Sequence, residues 1–341
     1  MKVVLCDNKE EGHHKIYYNS LLQLSYTNFK KSNISLSSSL KKNFIKYFVE
    51  RKNIIKEYTT NKNKIVHILT LDFIYMYPLL KKYPNIIGTL HHVPNSKLRR
   101  AFLKHFSKKI RKIIVHSIFL KEELLLQGIN NVDVVNYPSF YNYERLNKEK
   151  IKSEYNFDKN KIIISLLGGT REDKGLNILL ESLEYLSPII KEKVIINIAG
   201  KEEFFKKEYI QSYEKDVQIV SNLKLLSDEE FIKNVFITDI MIMPYLKSFG
   251  GNSGPMTEAI VNKIPCIAPK ELNIGKIVSK NNLGETFECE NSKDLARAIE
   301  KTVENINLYY TTDFYKTLTE ENFLKSYEKI YQEIWREMEN G

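Results

Sequence analysis

The chain has 341 residues, 43% of them hydrophobic, and a formal net charge of +10. That length serves two domains with a core each, and that apolar content excludes a disordered chain. Three widely spaced cysteines, Cys6, Cys266 and Cys289, suit neither a disulfide framework nor a zinc site and fit a reducing compartment.

The opening MKVVLCDN runs straight into a short strand, and no stretch holds about eighteen consecutive apolar residues. Neither a signal peptide nor a membrane span is expected, and the protein reads as cytoplasmic, soluble or peripheral. Residues 2–6 form a buried strand, and Asp7 to His14 is the loop at its carboxyl end, where open α/β sheets bind ligands. A helix over 15–25 follows. Residues 28–39 (NFKKSNISLSSS) are polar and turn-rich and read as a loop. Helix 40–58, strand 64–69, helix 72–82 and strand 86–91 alternate as βα units, which argues for a parallel sheet. The last of these strands ends in Thr89-Leu90-His91-His92-Val93-Pro94. A histidine held there is placed to meet substrate, or else is bonded to backbone as a structural residue.

Charge is divided unevenly. Residues 1–160 carry 29 Lys and Arg against 13 Asp and Glu, the remainder 23 against 29, so +16 lies ahead of −6. The densest run, Lys97 to Lys112, interleaves eight basic residues with Leu98, Phe102, Leu103, Phe106 and Ile110, the spacing of a basic amphipathic helix. Such a helix suits an anionic membrane surface, or it packs its stripe on the sheet and keeps its lysines in water. Nucleic acid is not expected as a partner, because no binding motif accompanies the charge.

Strand 111–116 leads to Ser117, an N-cap for helix 118–127, which Gly128 stops. Strand 132–136 and Tyr137-Pro138 end the first domain, taken as 1–155, and a polar, tyrosine- and lysine-rich connection spans 139–160. The second domain, 156–320, has strands near 161–167, 193–199, 217–220, 238–243 and 264–267. Helices over 292–306, 308–317 and 321–339 finish the chain.

Two stretches of the second domain share one design. In KIIISLLGGTREDKG (161–175) a buried strand runs into Gly168-Gly169-Thr170, with Arg171 and Lys174 ahead of a helix. In DIMIMPYLKSFGGNSGPMTEAI (239–260) a strand closed by Pro244 runs into Gly250-Gly251-Asn252-Ser253-Gly254, Pro255 and a helix over 256–262. Free amides at a helix N-terminus favour a phosphate, and Glu258 faces the same mouth. Each loop by itself is also no more than a tight turn. Together they pair cations for a diphosphate with a carboxylate for ribose hydroxyls, as a sugar nucleotide requires.

The pair GGTREDKG and SGPMTEAIVNKIPCIA, with IIVHSIFLKEEL, INIAG, LKLLSDEEF and TDIMIMPY in order, resembles glycosyltransferase family 4, the group 1 type. The resemblance implies an α/β, GT-B architecture: two Rossmann-like, doubly wound parallel-sheet domains with an interdomain cleft, the last helix (about 321–341) crossing back to the first domain. It implies a nucleotide-sugar donor held by Gly12, His13, Gly169, Thr170, Arg171, Lys174, Asn222, Gly251, Asn252, Ser253, Gly254 and Glu258. His91, Lys174 and Glu258 are the catalytic candidates, and no metal or other cofactor is expected, there being no DxD triplet. The sequence departs from the family twice. Gly250 stands where a glutamate is usual, eight positions before Glu258, and Gly168 and Gly169 stand where an arginine is usual, with Arg171 as a substitute from the next turn. The expectation is sugar transfer to a saccharide or lipid-linked saccharide in cell-surface polysaccharide synthesis, with retention. A catalytically silent subunit of the same fold, or a sugar-nucleotide epimerase or phosphorylase, remains the alternative.

Overall fold

The computed structural model describes residues 1–7, 13–32, 44–59, 63–94, 96–141, 143, 146–155, 157–213 and 217–340, with the side chains of His13, His14 and Phe44 outside the description. The chain divides into two compact units, Met1–Pro138 with Glu320–Gly341, and Ser139–Thr319. Residues 139–155, expected with the first domain, group with the second. The reason is packing: Ile151 and Phe157 share a core with Ile163, Ile195 and Ile237, and Lys148 and Lys152 both pair with Asp239.

In chain order the first unit runs β1 (Val3–Asp7), α1 (His13–Leu21), β2 (Thr27–Lys31), α2 (Phe44–Tyr58), β3 (Ile65–Ile68), β4 (Tyr83–Thr89), α3 (Lys97–Ser107), β5 (Ile110–Val115), α4 (Ile118–Leu126) and β6 (Val132–Val134). The second runs α5 (Lys148–Glu154), β7 (Ile162–Leu167), α6 (Leu176–Ser182), α7 (Pro188–Lys193), β8 (Val194–Ala199), α8 (Lys207–Gln211), β9 (Gln218–Asn222), α9 (Asp228–Ile237), β10 (Ile240–Ile242), α10 (Gly254–Val261), β11 (Cys266–Pro269), α11 (Asn273–Lys280), β12 (Gly284–Phe287) and α12 (Ser292–Glu304). The closing helix α13 (Glu320–Glu339) belongs to the first unit.

Each unit holds a six-stranded, wholly parallel sheet, ordered β2-β1-β3-β4-β5-β6 and β12-β11-β10-β7-β8-β9. The unbroken apolar runs of the sequence follow from this, since a parallel sheet carries helices on both faces. In the second sheet Ile164, Leu166, Ile196, Ile198, Ile240 and Ile242 enter one core, while Leu167, Ala199, Met241 and Met243 enter the opposite one. Helix ends follow local chemistry. Ser227 and Glu230 form a reciprocal capping box at α9, and Ser117 caps α4, past which Gly128 turns left-handed at φ 73°.

Four expectations need correction. The loop over 28–39 contains β2 at its start, where Phe29 stacks on Tyr18 at 4.0 Å between ring centroids; residues 33–39 lie outside the described residues. The helix over 72–82 is a single 3-10 turn, Leu71–Phe73, followed by turns that Pro78 closes. The helix over 308–317 is likewise a 3-10 turn, Phe314–Leu318, and the strand β12 goes unread. The basic run Lys97 to Lys112 is helical only to Ser107, and its end from Ile110 is β5.

Candidate functional site

In the second unit the chain leaves β7 for β8 and β9, then returns to β10 on the other side of β7. A reversal of strand order parts the loops at the carboxyl ends of the two strands, and in such sheets ligands bind there. The two glycine loops of the sequence are those loops. They are joined to each other: Leu246 N donates to the Asp173 carbonyl at 3.0 Å, and Gly175, at φ 64°, lies so close to the Pro244 carbonyl that a Cβ would overlap it.

The first loop uses Thr170 as a staple. Its hydroxyl donates to the Phe205 carbonyl (2.8 Å) and accepts from Glu203 N (2.9 Å), and the residue is fully buried. Beside it, a Cβ on Gly169 would meet the Glu203 carboxylate at 2.6 Å. Arg171 makes a two-pronged ion pair with Asp173 (2.9 and 2.8 Å), which raises the guanidinium and lowers the carboxyl through the shared hydrogen bonds.

Lys174 is different. It is 8% exposed, and among the described residues no carboxylate pairs with it. Its ammonium lies 3.8 Å from the ring centroid of Tyr245 and 4.5 Å from that of Phe249. Two ring faces attract the cation without neutralising it, so its charge stays available to an anion. Tyr245 also reaches the second loop, its hydroxyl 2.9 Å from Ser253 Oγ. Ser253 caps α10 by accepting from Met256 N at 3.4 Å, and Pro255 occupies the first turn. Gly251 is buried, Asn252 and Gly254 are half-buried, and a Cβ on the exposed Gly250 would meet nothing within 4 Å.

Glu258 stands one turn into α10 and is 4% exposed. Its Oε2 accepts from Ser139 Oγ at 2.6 Å and from the Tyr143 hydroxyl at 2.9 Å. Burial pushes this carboxyl up to about 7, and the two hydroxyls pull it down. Asn222, at the end of β9, is half-buried and contributes its carbonyl, which accepts from Gly200 N (3.1 Å) and Lys224 N (3.2 Å).

Of the site residues placed in the first unit, Gly12 lies outside the described residues, and His13 begins α1 with its side chain undescribed. His91 is half-buried just beyond β4. Its Nε2 donates to the Leu69 carbonyl (2.9 Å), and Asp72 accepts from the backbone N–H of His91 (2.9 Å) and of His92 (2.8 Å). Nearby, His116 donates from Nδ1 to the Val135 carbonyl (2.7 Å), and burial lowers it to about 3. The sequence reading missed Asp72, Ser139 and Tyr143, whose residue types are common in loops and carry no signal. It also passed over His67, a polar residue within the apolar strand KIVHIL. His67 is fully buried between Tyr331 (2.6 Å) and Thr89 (2.8 Å), and burial lowers it to about 3.

Among the described residues no cluster of three or more His, Cys, Asp or Glu could hold a metal, and no helix is long and apolar enough to cross a membrane. A search of curated protein sequences finds no match. Solved structures do match in fold. Sucrose-phosphate synthase from Thermosynechococcus elongatus superposes with a TM-score of 0.72 at 11% identity, covering 98% of this chain and 99% of the other. A glycosyltransferase from Rickettsia africae gives 0.70 at 18%, with 98% of each chain covered. Anabaena Alr3699/HepE, in complex with UDP, gives 0.67 at 12%, with 100% and 99% covered. Residues 147–313, nearly the whole second unit and both of its glycine loops, match the family described as glycosyl transferases group 1. This chain is built on the GT-B fold, and its second unit is similar to the group 1 family of glycosyl transferases.

Proposed function

We propose that the chain transfers a sugar from a nucleotide-sugar donor to a saccharide or lipid-linked saccharide acceptor, in cell-surface polysaccharide synthesis, with retention and without a metal. The observation that carries this is the convergence, where the second sheet reverses, of a buried lysine with no carboxylate partner, a capped helix N-terminus and a buried glutamate. Lys174 and the amides about Ser253 and Gly254 stabilise the departing diphosphate, and Glu258 accepts from ribose hydroxyls. Fixed charges and dipoles of this kind need no reorganisation as the leaving group gains charge. Anabaena HepE, of the same fold, is known in complexes with UDP and with UDP-glucose, which supports this class of donor. Arg171 is the weaker phosphate contact, because Asp173 already engages it. The backbone of Asn222 lies beside the base, as the resemblance implies, and His91, its ring fixed by the Leu69 carbonyl, is a wall of the reacting face.

The proposal places the protein in the cytoplasm, peripheral at the inner face of the cell membrane. The exposed side of α3 presents Lys97, Leu98, Arg99 and Lys104, while Leu103 and Phe106 are spent on the core, so attraction to an anionic surface rests on charge and Leu98. The test is a panel of UDP-, GDP-, ADP- and CMP-sugars screened for thermal stabilisation of wild type and of Glu258→Ala. One donor should stabilise the wild type and lose its shift in the variant, and nucleoside diphosphate should be released only when acceptor is present. A panel without any shift would leave the silent-subunit alternative.

A further inference from the structure

We propose that Ser139 and Tyr143 are positioning residues for Glu258: together they hold Oε2 and leave Oε1 as the acceptor for a ligand's hydroxyls. The inference rests on the donor reading above for the nature of that ligand, and on geometry for the rest. Both hydroxyls bond the same oxygen, and Oε1 has no hydrogen bond among the described residues. Each donor is itself fixed. Ser139 N donates to the Leu318 carbonyl at 2.9 Å, and the Tyr143 ring stacks on Phe236 at an interplanar angle of 17°.

The choice of partner has a chemical consequence. An arginine or lysine on Glu258 would orient the carboxylate and also cancel its charge. Two neutral hydroxyls orient it and leave the charge for the ligand, at the expense of a carboxyl that titrates near neutrality. The other titratable groups about it do not blur this. Burial and the carboxylate itself push the phenol of Tyr143 up, and burial and Asp228 push up that of Tyr141, whose hydroxyl donates to Asp228, so both stay neutral through this range. Residues 139–319 contain no histidine, and among the described residues no Lys or Arg pairs with Glu258.

The free protein reports the effect without any donor. The difference in thermal stability between wild type and Glu258→Gln, followed from pH 5 to 9, reads the titration of Glu258. In Ser139→Ala and in Tyr143→Phe, each again compared with its Glu258→Gln partner, the midpoint should rise by about one pH unit, because a donor that favours the charged form is gone. Ser139→Thr, which keeps the hydroxyl, should restore it. With donor and acceptor, KM for the nucleotide sugar should rise about tenfold in the Ala and Phe variants, with kcat little changed. A midpoint that stays put in both variants overturns the proposal, whatever happens to KM, since the hydroxyls would then serve packing alone. A midpoint that moves in a protein no nucleotide sugar stabilises upholds the positioning of the carboxylate and sinks the donor reading instead.

Discussion

The two sheets share one design and spend their polar residues differently. In the first unit the groups near the carboxyl edge bond to one another: Tyr331 to His67, His67 to Thr89, Thr89 to Tyr327, and Tyr327 to Tyr17. His91 and Asp72 are likewise occupied with backbone. In the second unit the buried Lys174 has ring faces where a carboxylate would be expected, and Glu258 has hydroxyls where a cation would be expected. A satisfied network makes a rigid frame, whereas isolated charges of both signs make a site that is paid for elsewhere in the fold. The first arrangement favours folding and the second favours a ligand.

The largest effect should come from the poised charge. Lys174→Met should lower kcat/KM with the donor by about 10²- to 10³-fold, the loss usual for one fixed group facing developing negative charge, while the melting temperature changes little. A large fall in melting temperature with donor affinity preserved would show that the lysine is structural and erase the contrast. Next is Gly175→Ala, which forces a side chain into the left-handed region and against the Pro244 carbonyl; chemical denaturation should show a loss of roughly 3 kcal/mol. An unchanged denaturation midpoint would mean that the two loops are not held together at this point.

The frame of the first unit should reveal itself in acid. His67 is held neutral in the fold, with its proton affinity lowered to about 3 from an ordinary 6.5. The unfolded chain therefore takes up a proton that the folded one refuses, and stability falls as pH drops below about 6.5 and continues to fall toward 3. Between pH 7 and 5 the wild type should lose about 2 kcal/mol more than His67→Gln, measured by urea unfolding at each pH. Equal losses would place the acid sensitivity elsewhere, with the buried His116 the next to examine. The smallest effect is expected for Arg171→Ala. Its guanidinium is tied to Asp173, so donor KM should change less than about tenfold, and a loss as large as that of Lys174→Met would show that the pair opens on binding.

The sequence was most legible where chemistry and fold coincide. The apolar runs 162–167 and 194–199 could only be buried strands, and the glycine loops after 167 and 243 marked the two strands that flank the reversal. The N-cap role of Ser117 was equally plain, because a capping residue acts within one turn. What escaped was set by tertiary pairing. Nothing in the names Ser139 and Tyr143 says that they meet a carboxylate more than a hundred residues later, nor does Thr170 announce that its hydroxyl is consumed by its neighbours. Lys174 was found as a cation, but its aromatic seat depends on the spacing of Tyr245 and Phe249 in a loop whose path no local rule dictates.

The two strands that went unread carry a further consequence. β2 and β12 end their sheets, and their polar residues, Asn28, Lys30 and Lys31 in one and Glu285 and Thr286 in the other, are what hid them from a search for apolar runs. An outer strand leaves backbone donors and acceptors unpaired, so it is a template on which another polypeptide can add itself. Charge and brevity at these two borders discourage that addition.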